Sequence, residues 1–162
     1  MEKLKVKKNT TTTEENIRKK ERKTMSENWV KDMNAFHEYY GIHDAVDKMD
    51  DEKLKQFLIF RLAFLKEELD ETFDAFGKKD PEEIVDGLID LCVIAIGTLD
   101  LFKVDAQKAW TEVLRANLSK EVGEKPERPN PLGLPDLIKP AGWKAPNHGG
   151  NSGILTKATS RK

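Results

Sequence analysis

Cysteine is almost missing from this chain. Cys92 stands alone among 162 residues, inside an apolar run. A lone thiol makes no internal disulfide, which fits a reducing cytoplasm. Charge of one sign is missing too: 28 Lys and Arg balance 29 Asp and Glu, a formal net charge of -1. That removes any global pull toward nucleic acid or a membrane surface. Long hydrophobic runs are also lacking. The longest, residues 88–101, is broken by Asp90 and Asp100 and is too short to span a bilayer. No signal-peptide pattern opens the chain, no strand-like alternation of any length appears, and there is no internal repeat. These absences lead to the expectation of a soluble, cytoplasmic, all-α protein with one real core, without a membrane or nucleic-acid partner.

Three regions are expected. Residues 1–25 are polar and rich in Lys and Thr, and read as a mobile basic arm, its charge diluted by Glu2, Glu14, Glu15 and Glu21. Residues 26–120 read as a helical catalytic domain. Residues 121–162 are rich in Pro and Gly without periodicity and read as an extended tail or lid, with Trp143 as its large anchor.

Four helices are predicted, at about 26–40, 51–76, 81–102 and 105–119. Ser26 is a good N-cap for the first, on which Trp29, Met33, Phe36 and Tyr40 share one face before Gly41 ends it. On the second, Leu58, Leu62, Leu65, Leu69 and Phe73 form the expected core stripe, and Gly77 ends the helix. The third has Asp80 as N-cap and Pro81 at its first position, then turns apolar almost all round, as in a central or intersubunit helix. The fourth starts from Asp105, with Ala106, Trp110 and Val113 facing inward.

Against this apolar frame stand misplaced acids. Glu68 and Glu71 lie on the apolar flank of the second helix, in the pattern Glu67-Glu68-x-x-Glu71. Twelve residues after Glu71 comes Glu83, then Asp86 and Asp90 on one stripe of the third helix. An antiparallel turn at 77–81 brings the two groups face to face. Carboxylates beside hydrocarbon are costly unless a cation compensates them. An oxygen-only donor set suits Mg²⁺ or Mn²⁺ rather than Zn²⁺, and a metal held by acids points to phosphate chemistry. A buried ion pair with Arg61 is the structural alternative for one carboxylate. His37 has no second His or Cys at ligand spacing and is not read as a metal ligand.

The ordered motifs resemble a known family. Glu67, Glu68 and Glu71 followed by Glu83 and Asp86 are similar to the acidic signature of the MazG-like all-α nucleoside triphosphate pyrophosphohydrolases, which include dimeric dUTPases and phosphoribosyl-ATP pyrophosphohydrolase. The segment Phe36-His37-Glu38-Tyr39-Tyr40-Gly41 resembles the aromatic stretch of that family's first helix. Asp86-Gly87-Leu88-Ile89-Asp90-Leu91, running to Gly97-Thr98, resembles the third helix of phage-type members, and Arg115-Ala116-Asn117-Leu118-Ser119-Lys120 resembles the end of the fourth. There is one departure. Many relatives carry Glu three residues before the Asp equivalent to Asp90, where this chain has Gly87; Asp86 stands beside it and Glu83 a turn above.

The resemblance implies a four-helix MazG-like bundle, a homodimer or homotetramer, and a cytoplasmic location, that of the host if the chain is phage-encoded. It implies Mg²⁺-dependent cleavage of a (deoxy)nucleoside triphosphate to monophosphate and pyrophosphate. Glu68, Glu71, Glu83, Asp86 and Asp90 would be the metal ligands, which of the last three bind directly being left open. Glu67 or Glu68 would orient the attacking water. Arg61, Arg115, Asn117 and Lys120 would meet the nucleotide, with Phe36, His37, Tyr40 and Trp110 as stacking candidates. Phosphoribosyl-ATP hydrolysis and a non-catalytic helical binding or regulatory module are the alternatives.

Overall fold

The computed structural model describes residues 28–125, 131–134 and 136–160. The arm at 1–25 and the expected cap Ser26 lie outside the described residues. Helix α1 spans Trp29–Tyr39, and Asn28 caps it by accepting from the Lys31 amide at 3.0 Å. Gly41 follows with φ 65°, a left-handed turn that favours glycine, and leads into the short helix α2, Ile42–Asp47. Helix α3 spans Asp51–Lys78, α4 Pro81–Leu101 and α5 Ala106–Leu118. Their N-caps are Asp50, Asp80 and Asp105, each accepting from first-turn amides, and Pro81 sits where its missing N–H costs nothing. The fold is therefore all-α, as expected.

Three local expectations need correction. Gly77 stays helical; the left-handed residue ending α3 is Lys79, at φ 60°. Helix α2 was too short to show a periodicity. Strands are present after all, though minimal: β1, Glu121–Gly123, pairs antiparallel with β2, Asp136–Ile138, with Val122 opposite Leu137.

Helices α3 and α4 pack antiparallel along most of their length. Arg61 of α3 meets Thr98 and Ile94 of α4, and Thr72 meets Gly87. The seam on α3 runs Leu54, Leu58, Arg61, Leu65, Glu68, Thr72 and Ala75, alternating steps of four and three. The seam on α4 runs Ile84, Gly87, Leu91, Ile94, Thr98 and Leu101 in the same rhythm. This is coiled-coil spacing with polar residues at several seam positions. The expected stripe is thus corrected by a small rotation: Leu62, Leu69 and Phe73 are exposed, and Arg61, Glu68 and Thr72 turn inward instead. On α5 the inward residues are Ala106 and Ala116, whereas Trp110 and Val113 face outward.

The apolar core gathers at the C-terminal end of α4. Phe102 is fully buried among Val46, Leu54, Leu101 and Ala158, with its ring stacked on Phe57 at 5.7 Å. Ala158 belongs to the last helix, α6, Leu155–Ala158, so the far end of the expected tail is a core element. Two further ties hold it. A Cβ on Gly153 would collide with the backbone of Phe102 and Lys103, and the Asn151 side chain bonds both N–H and C=O of Asp105 at 2.9 Å. Trp143 is anchored as well, its indole N–H donating to the Ala116 carbonyl at 2.8 Å under the Lys139 ammonium.

Candidate active site

The acids of α3 and α4 line one flank of the helix pair around Glu68, close enough to act on it, although among the described residues no three of them bring their carboxylate oxygens within 4.8 Å of one another. Between the Arg61–Thr98 and Thr72–Gly87 contacts, Glu68 falls level with Leu91, one residue from Asp90. Both carboxylates are half-buried, whereas Glu67, Glu71, Glu83 and Asp86 are exposed along the rim. Burial raises the Glu68 carboxyl above the usual carboxylate range, and the negative fields of Asp90, Glu71, Glu67 and Asp86 raise it further. Glu83 is not among the groups acting on Glu68. It lies four residues from Gly87, roughly 6 Å along the axis toward the interhelical turn.

No Lys, Arg or His among the described residues forms an ion pair with Glu68, Glu71, Glu83, Asp86 or Asp90. The nearest large cation in the seam is Arg61, and it is committed elsewhere. Its Nε donates to Thr98 Oγ1 at 2.9 Å and a terminal nitrogen to the Ile94 carbonyl at 2.8 Å. Burial lowers the Arg61 pKa. Arg61 is thus a helix-to-helix tie, and the ion-pair alternative for the acids is not formed.

Gly87 has a packing reason. A Cβ there would collide with Thr72 Oγ1, which donates to the Glu68 carbonyl at 2.8 Å. A Glu at this position would displace the Thr72 hydroxyl from the Glu68 carbonyl. Asp86 and Asp90, flanking the crossing, keep acids on both sides of it.

The remaining candidates fall elsewhere. Arg115 pairs with Glu112 at 3.1 Å and donates to the Ala145 carbonyl at 3.2 Å. Hydrogen bonds from Arg115 and from the Asn147 amide hold the Glu112 carboxyl below the ordinary range. Lys120 Nζ donates to Asn117 Oδ1 at 2.8 Å. No hydrogen bond or ion pair among the described residues links Arg115, Asn117 or Lys120 to the acids. Phe36, Tyr40 and Trp110 are exposed aromatic surface, Phe36 and Tyr40 with ring centroids 4.9 Å apart.

His37 is turned inward, 2% exposed, with Nδ1 2.6 Å from Asp100 Oδ2. Stacking on a base would require its ring to leave that pocket. His43 Nε2 reaches the same Asp100 oxygen at 2.7 Å, and Asn34 donates to the other oxygen at 2.9 Å. Spacing along the chain concealed this cluster, because its members come from α1, α2 and α4.

An antiparallel helix pair with carboxylates along it, inside a mostly helical fold, is compatible with the all-α bundle of the MazG-like nucleotide pyrophosphohydrolases. Within it, residues 42–117 match the family model described as Phosphoribosyl-ATP pyrophosphohydrolase, and this segment is a domain of that family. The match covers α2 through nearly all of α5, including Glu67, Glu68, Glu71, Glu83, Asp86 and Asp90. A comparison of the chain with curated proteins found no match. At the level of the family the activity is that of a pyrophosphohydrolase acting on a nucleotide.

Proposed function

We propose that this chain hydrolyses (deoxy)nucleoside triphosphates between the α- and β-phosphates, releasing the monophosphate and pyrophosphate with the help of Mg²⁺. One observation carries the reading. Glu68 is half-buried among four other acids that raise its carboxyl, and no basic side chain among the described residues offsets them. External positive charge would relieve this repulsion and favour the ionised form of Glu68.

The donors fit a hard cation. All five are carboxylates, the ligand type of Mg²⁺ and Mn²⁺ rather than of softer metals. Glu68, Glu71, Asp86 and Asp90 would hold it once their side chains swing together, with Glu83 a turn farther off. When bound, Mg²⁺ supplies charge neutralisation for the phosphates and acidifies water. Of the chain's own groups, Glu68 is suited to accept a proton, because a raised carboxyl is a better base near neutral pH. Glu67, on the rim beside it, is the second candidate. Arg115 and Lys120 carry the charge to hold phosphate oxygens, and Asn117 can hydrogen-bond sugar or phosphate. Phe36, Tyr40 and Trp110 offer exposed rings for the base.

A second copy of the chain would cover the apolar band formed by Leu62, Leu69, Phe73 and Phe76 of α3 with Leu88 and Ile89 of α4, all exposed in one chain. Covering that band supports a homodimer or homotetramer. The second reading, hydrolysis of phosphoribosyl-ATP, is favoured by the family model's own description.

The test is pyrophosphate release from each NTP, each dNTP and phosphoribosyl-ATP, with and without Mg²⁺. Release from one or more triphosphates that stops with chelator supports the proposal. Release from phosphoribosyl-ATP alone selects the second reading. No release from any of them leaves only a non-catalytic helical module.

A further inference from the structure

A second cluster, separate from the acids, has the make-up of a transition-metal site. Among the described residues, one group of three or more His, Cys, Asp or Glu donors has its ligand atoms within 4.8 Å of one another: His37, His43 and Asp100. We propose that these three side chains bind a single borderline divalent ion of the Zn²⁺ type, which staples α1 and α2 to the end of α4.

Convergence is the first argument. His37 Nδ1 and His43 Nε2 both aim at the same oxygen, Asp100 Oδ2, at 2.6 and 2.7 Å. A simple structural ion pair needs one histidine; here two nitrogens and one oxygen, from three elements, address one point. Two imidazoles and a carboxylate form a ligand set used for three-coordinate protein sites that leave a further position open.

Support around the ligands is the second argument. Asn34 Nδ2 donates to Asp100 Oδ1 at 2.9 Å, fixing the carboxylate plane and leaving Oδ2 to the histidines. His37 is 2% exposed, and the Asp100 side chain 11%, so two of the three ligands are held by packing. A Cβ on Gly97 would come within 3.1 Å of His37 Cε1, so glycine there makes room for the ring. The third argument is access. The His43 side chain is 31% exposed and lines a cleft with Asn34, Glu38, Gly41 and Asp44. An ion enters from that side, and Glu38 or Asp44 offers negative charge beside the open position.

Atoms balance without an added reagent. In neutral rings the N–H facing Asp100 moves to the other ring nitrogen, and the freed lone pair is donated to the ion. The ion takes the place of two hydrogen bonds, and the three donor atoms relax outward around it.

The test uses the full chain carrying Glu71→Gln, so that the acids on α3 compete less for metal. After chelation and buffer exchange, Zn²⁺ and Mg²⁺ are titrated separately by calorimetry, and Co²⁺ is added to a parallel sample for its visible absorption. The expected result is one Zn²⁺ per chain, a Co²⁺ spectrum of nitrogen-containing ligation, and no Mg²⁺ at this site. His43→Ala, at the accessible ligand, should weaken Zn²⁺ by about tenfold or more and abolish the Co²⁺ bands. His43→Gln repeats the loss with a side chain of closer size, and helical circular dichroism checks that both variants fold. Zn²⁺ binding equal in parent and both folded variants, or no Zn²⁺ binding in the parent, overturns the proposal. Pyrophosphate release plays no part in this readout, so its outcome is independent of the hydrolase reading.

Discussion

At the scale of single residues, the unusual side chain is Glu68. A hydrophobic residue at its seam position would pack against Leu91; a glutamate there has burial and four like charges against its ionised form. Its folded-state pKa therefore lies above the unfolded value. The stability it contributes is fully present below the unfolded carboxylate pKa, about 4.3, and is lost as pH rises through the raised folded value. Glu68→Gln should accordingly melt higher than the parent at neutral pH in chelator, with the gap closing as pH falls toward the unfolded value. Thermal scans across pH read this directly, and an unchanged or lower melting temperature at neutral pH would count against the crowding of acids. Glu71→Gln tests function instead. It removes charge without changing shape, and should lower pyrophosphate release by at least about 100-fold with the helical signal intact.

The acids were legible in the sequence, because polar residues on an apolar flank stand out in any helical projection. The pairing of His37 and His43 with Asp100 was not, since 63 and 57 residues separate the partners. Only the packing of α1 and α2 on α4 brings them together.

Among elements, the caps carried the most information. Asp80 with Pro81, and Asp105, fix two helix starts, and each Asp accepts amide hydrogen bonds as its position requires; Asp50 does the same for α3. The seam of α3 was harder. Leucine and phenylalanine mark Leu62, Leu69 and Phe73 as core, but the helix turns them out and leaves Arg61, Glu68 and Thr72 half-buried. Hydropathy assigns the greasiest stripe to the nearest interior. It misses that a site needs polar groups between the helices, and that a second interface can take the greasy stripe. Two substitutions examine this seam. Gly87→Ala should cost about 1–3 kcal/mol, by displacing Thr72 from the Glu68 carbonyl. Arg61→Ala should cost about 1.5–3 kcal/mol, because the Thr98 and Ile94 oxygens lose a charged donor. Denaturant unfolding measures both, and values within error of the parent would show that α3 and α4 are not in close contact there.

For the whole molecule, the bundle is closed by a segment that composition reads as an extended tail or lid. Proline and glycine after Lys120 forbid long helices, but they do not forbid docking. Asn151, Gly153 and Ala158 seat the chain end on Asp105, Phe102 and the core. Asn151→Ala should therefore destabilise by about 1–3 kcal/mol, since the Asp105 N–H loses its partner while its C=O keeps only the Ala109 amide; a neutral effect in unfolding experiments would mean that the segment around Asn151 is not docked. The exposed band on α3 and α4 belongs to this scale too, and light scattering of the full chain should give a mass at least twice 18.5 kDa.

The most direct measurement is a crystal structure with Mn²⁺ and a nucleoside triphosphate analogue non-hydrolysable between its α- and β-phosphates, read by anomalous scattering. Manganese peaks between Glu68, Glu71 and the Asp86–Asp90 turn, with the phosphates against them, are the expected result. Nucleotide bound elsewhere, or these carboxylates left without manganese while it occupies other sites, would contradict the assignment.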